Sequence, residues 1–207
     1  MLVFYIVPFS ILFPILFGLL NFKEAKTGSR LLLYYLIASG LINLVAMTIF
    51  KRNNLPLLHL YTIVEAVLIL SYLRTLFIEN LIKKILLCTI FIFPIFCVLN
   101  FTFLQSINTF NTYTRPLEAI LITFFCMLYL YKSGFTENWT NKPSSWFNMG
   151  ILIYFPVACI IFIVSNYMVF VHKNRGMNLH VWDLHAILVL AMYIFWARGF
   201  HLLKNGR

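Results

Sequence analysis

Residues 55–73 read LPLLHLYTIVEAVLILSYL, a run apolar enough to lie in lipid that nevertheless carries His59 near its start and Glu65 near its middle. A hydrocarbon core about 30 Å thick takes about 20 mostly apolar residues as one helix, and this stretch has that length. A carboxylate turned to lipid at mid-depth costs at least about 2.5 kcal/mol, so Glu65 must face other protein groups or a water-filled space. The run therefore predicts a bundle with a polar interior rather than an isolated anchor.

The rest of the chain agrees. Of 207 residues, 62% are hydrophobic and 11% charged, and mean hydropathy is +0.89. A soluble domain is roughly half apolar and about a quarter charged, so that class is excluded. Apolar runs predict seven spans, at Leu2 to Asn21, Leu31 to Phe50, Pro56 to Phe77, Leu81 to Phe101, Tyr113 to Lys132, Trp146 to Val171 and Val181 to Leu203. The loops between them are too short for a second domain, so residues 1–207 are expected to form one all-α, seven-helix transmembrane bundle. The first run has no basic stretch before it and reads as a span rather than a cleaved leader. Pro8 and Pro14 predict a kink in it. The four cysteines, Cys88, Cys97, Cys126 and Cys159, fall inside spans without CxxC spacing, which gives no thiolate metal site.

Basic residues set the expected orientation. Lys23, Lys26, Arg30, Arg74, Lys83, Lys84, Lys132, Lys142, Arg198, Lys204 and Arg207 fall to one side, and Lys51, Arg52, Arg115, Lys173 and Arg175 to the other. The richer side is expected in the cytoplasm, with the N-terminus outside and the C-terminus inside. The net charge of +10 then reflects topology and contact with anionic headgroups of the lipid bilayer. Nucleic acid is not an expected partner, because the basic residues are scattered over short loops.

With that orientation the intramembrane polar groups collect in the outer half. Pro56 follows Asn54 at a helix start, and Glu65 comes on the order of 14 Å below it at 1.5 Å per residue. At 100° per residue, Tyr61 and Glu65 share an arc and His59 lies around the helix. Arg115 and Glu118, three apart, share a face and can pair. Asn43 with Ser39 and Ala46 makes a small polar face on the second span. Asn166 ends the sixth span on the outer side, and His185 begins the seventh beside Trp182, Val189 and Tyr193. The candidate ligand-binding set is thus Glu65, His59, Tyr61, Asn43, Arg115, Glu118, Asn166 and His185, around a cavity open to the outside with Glu65 as its floor. The motif NWT at Asn138 falls in an expected cytoplasmic loop and reads as chance.

The segments WFNMGILIYF and HVWDLHAILVLAMYIFWARGF resemble uncharacterised small bacterial seven-helix proteins, and the layout is similar to the membrane modules of some bacterial sensor kinases. The resemblance implies residence in a bacterial inner membrane and signalling, and transfers no site residue. The expected function is that of a receptor-like protein binding a small molecule or cofactor, acting through a partner membrane protein or complex because the C-terminal tail is short. Retinal is excluded, since the middle of the last span, LVLAMYIF, has no lysine for a Schiff base. The alternatives are a proton-coupled carrier using Glu65, a subunit of a larger complex, or a zinc-dependent intramembrane hydrolase. For the last, His180 and His185 are five apart and about 140° around a helix, poor spacing for one metal.

Overall fold

The computed structural model describes residues 6–50, 53–134, 139–172 and 175–205. Residues 2–5 of the expected first span lie outside these, as do Lys51, Arg52, Asn138, Lys173 and Arg207. The described residues are all-helical: α1 (Val7–Ser10), α2 (Leu12–Leu20), α3 (Thr27–Thr48), α4 (Leu55–Leu76), α5 (Asn80–Leu99), α6 (Thr114–Ser133), α7 (Pro143–Asn166) and α8 (Arg175–Leu202). A π-helical turn extends α5 through Leu104, and another extends α7 through His172.

Six of these helices are long and apolar enough to cross a membrane, and the chain is an integral membrane protein by that criterion. The first expected span is different. Val7–Leu20 is an apolar helical stretch broken at Ile11, and at 1.5 Å per residue it covers only about 21 Å. The break follows from Pro14, which has no N–H for the Ser10 carbonyl and whose ring crowds it.

Contacts between neighbours order the helices as a closed ring, α2, α3, α4, α6, α7, α8 and back to α2, with α1 against α8 and α5 outside the ring on α4. The outer surface is apolar, as Phe91, Ile95, Ile120, Phe124, Ile160 and Ile194, each more than half exposed, illustrate. In water so large an apolar surface would be a liability; against acyl chains it matches its solvent. We call the end where α3 and α7 finish and α4 and α6 begin the upper end. At the lower end Glu79, capping α5, pairs with Lys132 of α6 at 2.8 Å, which holds the Glu79 carboxyl below the usual range. Gly134, with φ of 64°, closes α6 there.

Polar side chains replace missing backbone partners at two helix starts. The sequence predicts Asn54 as the cap of α4, but it is Asn53 whose Oδ1 accepts the Leu55 N–H at 3.2 Å. At α6, the buried Asn111 Oδ1 accepts from Thr114 N–H at 3.0 Å, the Thr114 hydroxyl at 2.9 Å and Arg115 N–H at 3.3 Å. Asn111 Nδ2 donates to Thr62 Oγ1 at 3.2 Å. Thr62 lies on the order of 10 Å down α4 from Leu55 at helical rise. The segment 105–113 therefore dips into the upper half of the bundle, and α6 starts below the neighbouring helix ends.

The closest packing is between α7 and α8. Trp196 lies over Gly150 and Phe147 over Gly199, and a Cβ on either glycine would fall 2.6 Å from the facing ring. Trp196 Nε1 also donates to the Phe147 carbonyl at 2.9 Å. Small residues that admit a large ring are a common basis of helix association in lipid. Gly150→Ala is expected to destabilise the bundle by about 1 to 3 kcal/mol through overpacking against Trp196. Gly40→Ala, whose Cβ would meet nothing nearer than 3.9 Å, should be neutral. Unfolding of the purified variants in detergent measures both.

Candidate functional site

The upper half of the ring encloses a cavity of about 440 Å³. Its polar lining comes from Ser39 and Asn43 on α3, Tyr61 on α4, Arg115 on α6, Tyr154 on α7, and His185 and Tyr193 on α8. Phe110, Phe162, Trp182 and Val189 supply apolar walls, and Asn54, Leu55, Val7 and Pro8 line it towards the upper end. No lining residue comes from α5, consistent with its place outside the ring. Ser39, four residues after Tyr35 and four before Asn43, puts all three on one helical face, of which Ser39 and Asn43 line this space.

Behind the wall lies a fully buried ionic cluster. Arg115, a cation that no protein environment deprotonates, directs Nη1 to Glu65 Oε2 and, at 2.7 Å, to Glu118 Oε2. Its Nη2 donates to the Tyr154 hydroxyl at 3.2 Å, and that hydroxyl lies 3.1 Å from His185 Nε2. The guanidinium is also flanked by the rings of Tyr61 and Phe162, with Cζ 5.1 and 5.0 Å from their centroids. Glu65 Oε1 accepts from the Tyr35 hydroxyl at 2.6 Å and is 3.1 Å from that of Tyr61. The two tyrosine hydroxyls lie 2.7 Å apart, and Ser39 Oγ is 3.2 Å from Tyr61. Four helices of the ring, α3, α4, α6 and α7, therefore converge on one carboxylate and one guanidinium.

The expected residues divide into three places. Asn43, Tyr61, Arg115 and His185 line the cavity. Asn43 is exposed and makes no side-chain hydrogen bond to a described residue. Glu65 and Glu118 do not line it: Tyr61 and Arg115 stand between Glu65 and the open space, so the expected floor is one layer deeper than the cavity. His59 and Asn166 belong to neither place and hold the segment 105–113. His59 Nε2 lies 3.1 Å from the Thr109 carbonyl, which can only accept, so the ring proton sits on Nε2 and the buried Nδ1 is left without a partner. Asn166 brackets Phe110, accepting its N–H and donating to its carbonyl, both at 3.0 Å. Phe110 then stacks beside Trp182 with ring centroids 5.5 Å apart and forms part of the cavity wall.

Sequence reasoning passes over Tyr35, Tyr154, Asn111 and Asn148. For Tyr35 a signal exists in its spacing to Ser39 and Asn43. Tyr154 sits among apolar neighbours with no polar residue one turn away in sequence to mark it. Asn148 accepts from the Tyr72 hydroxyl at 2.9 Å, a second buried polar contact in the lower half, where the sequence predicts almost none. Among the described residues no three His, Cys, Asp or Glu side chains converge as metal ligands.

If Tyr35 stabilises the buried carboxylate as the geometry indicates, Tyr35→Phe should cost about 1.5 to 3 kcal/mol, the range for a hydrogen bond to a charged group. The adjacent Tyr34 is exposed, and Tyr34→Phe should stay within about 0.5 kcal/mol of the wild type. Chemical unfolding followed by tryptophan fluorescence distinguishes them. Comparison with known proteins adds no relative: no family model matches the chain, and no curated protein or solved structure matches it.

Proposed function

We propose that the protein is a receptor-like, ligand-binding integral protein of a bacterial inner membrane, with a small molecule or cofactor held in the upper cavity and its occupancy passed to a partner membrane protein. The observation that carries this reading is the cavity itself. Its volume, about 440 Å³, falls within the roughly 300 to 1,000 Å³ of small-molecule sites. Its composition also fits, with aromatic and aliphatic walls and a few convergent polar groups. Arg115 Nη2, the Tyr193 hydroxyl and the Asn43 amide offer donors to an accepting head group, while Trp182, Phe110 and Phe162 face an apolar body. The favoured ligand is an amphiphilic molecule with oxygen acceptors at one end.

In this reading α1 and α2 belong to the first of seven spans, and the upper end is extracytoplasmic. Burial of Arg115 supports that orientation. Its charge is taken up inside the bundle, which leaves Lys51, Arg52, Lys173 and Arg175 as the basic residues that the sequence reading assigns to the outer side. The other eleven belong to the lower end, the side retained in the cytoplasm. A reporter that works only in the cytoplasm, fused after Arg207, should be active; silence there, with activity of an exported reporter, would turn the cavity towards the cytoplasm.

Occupancy is tested by native mass spectrometry of protein purified from its own membrane, beside Val189→Trp, which fills the cavity from α8. A bound molecule of constant mass should accompany the wild type and be missing from the variant, with both chains equally folded. A wild-type spectrum free of small molecules, or one that Val189→Trp leaves unchanged, counts against the reading.

A further inference from the structure

The ionic cluster does not balance if both carboxylates are charged. Glu65, Glu118 and Arg115 are each 3% exposed or less, and one guanidinium faces two carboxyl groups. With both ionised the cluster would hold a net negative charge away from water, an arrangement that like-charged carboxyl pairs avoid by retaining a proton. Among the described residues no other cation pairs with either carboxyl group. The groups around Glu118 are Arg115 on its own helix, Glu65 on α4 across that guanidinium, Cys97 on α5 and Tyr154 on α7. His185 on α8 is hydrogen-bonded to the cluster through Tyr154, whose hydroxyl already faces the Arg115 charge.

The hydrogen bonds distinguish the two carboxyl groups. Both Glu65 oxygens are engaged by donors, Oε1 by tyrosine hydroxyls and Oε2 by Arg115. Glu118 has Oε2 on Arg115, whereas its buried Oε1 has no partner. An ionised oxygen left bare in a dry interior is far less favourable than a neutral one.

From this asymmetry we infer that the Glu65–Arg115–Glu118 cluster is a proton-binding site that holds one proton at neutral pH, resident on Glu118, with Glu65 as the ionised partner of Arg115. The proton comes from water and no other bond changes. The cluster adjoins the cavity, because Tyr61 lines that space and its hydroxyl reaches back to Glu65 Oε1. This gives the upper cavity a titratable cluster that lies out of its direct view. The inference concerns the unliganded bundle and stands whether or not a small molecule occupies the cavity.

Infrared spectroscopy of the full chain in an ester-free detergent at pH 7 tests it, with the proton itself as the probe. The sequence has six acidic residues, of which Glu24 and Glu79 lie outside the helices at the lower end. One carbonyl band of a protonated carboxylic acid, shifting in heavy water, is expected in the wild type. Glu118→Gln should lack the band while melting like the wild type, since a neutral acid is replaced by a neutral amide of the same shape. Glu65→Gln should lack it too, because Glu118 then becomes the only carboxylate facing Arg115 and ionises. A wild-type spectrum without the band, or its persistence in Glu118→Gln or in Glu65→Gln, would overturn the inference.

Discussion

The contact between Arg115 and Glu65 constrains more of this bundle than any other. A guanidinium cannot shed its charge when taken out of water, so a buried arginine must be surrounded by acceptors or it will not stay buried. Here the acceptors come from Glu65 on α4, Glu118 one turn along α6 and Tyr154 on α7, while Tyr35 on α3 steadies the Glu65 carboxylate. Each partner has to stand at one depth and one rotation of its helix. Packing alone would leave apolar helices free to slide and turn against one another, since lipid tails are as apolar as the side chains they would expose. The ionic contact removes that freedom and sets the helix register around the cavity.

Bringing Arg115 to mid-depth has a consequence for the chain before it. The helix that carries it must begin inside the bundle, so residues 105–113 pass through the upper half without regular structure. Irregular backbone at such depth survives where protein groups supply the hydrogen bonds that water would otherwise make. Asn111 caps the new helix, His59 takes the Thr109 carbonyl, Asn166 brackets Phe110, and Gln105 pairs with Thr112 through both its amide atoms. Two residues that look like ligands by their polarity, His59 and Asn166, are thereby explained as supports of this segment. Their polarity serves the wall of the cavity through Phe110 and stays out of its interior.

The same point explains what was legible in the sequence. The apolar runs mark the six long helices to within a few residues, because a bilayer imposes a length and a composition together. Pairs within one helix are also legible, since Tyr61 with Glu65 and Arg115 with Glu118 follow from helical spacing. The pairing of Glu65 with Arg115, fifty residues apart, is not. Depth counted from the ends of the hydrophobic runs assumes that every helix starts at the membrane surface, and α6 does not. The break in the first helical stretch was legible too, since Pro14 divides a run whose hydropathy is uninterrupted. Tyr154 and Tyr35 are hidden because a tyrosine in a span reads equally as an aromatic anchor, and only the partner across the interface gives its hydroxyl a role.

Those hydroxyls also explain why the cavity stays open instead of collapsing. Tyr61 and Tyr154 have their polar ends fixed behind the wall, on Glu65 and Arg115, and their rings cannot swing into the empty space without breaking bonds to charged groups. On the opposite side Trp182 is held by ring contacts to Phe110, Phe162 and His185 at centroid separations of 5.5 to 6.2 Å. A site whose side chains are already locked loses little conformational freedom when a molecule enters. The ionic cluster therefore does two things for the space above it: it sets the positions of the helices and stiffens the aromatic groups that a ligand would touch. A cavity shaped by fixed rings selects by form, and the few donors left pointing inward, on Arg115, Asn43 and Tyr193, select by the placement of acceptors. The two constraints act at different ends of the space, which is why an amphiphilic molecule fits it better than a compact polar one.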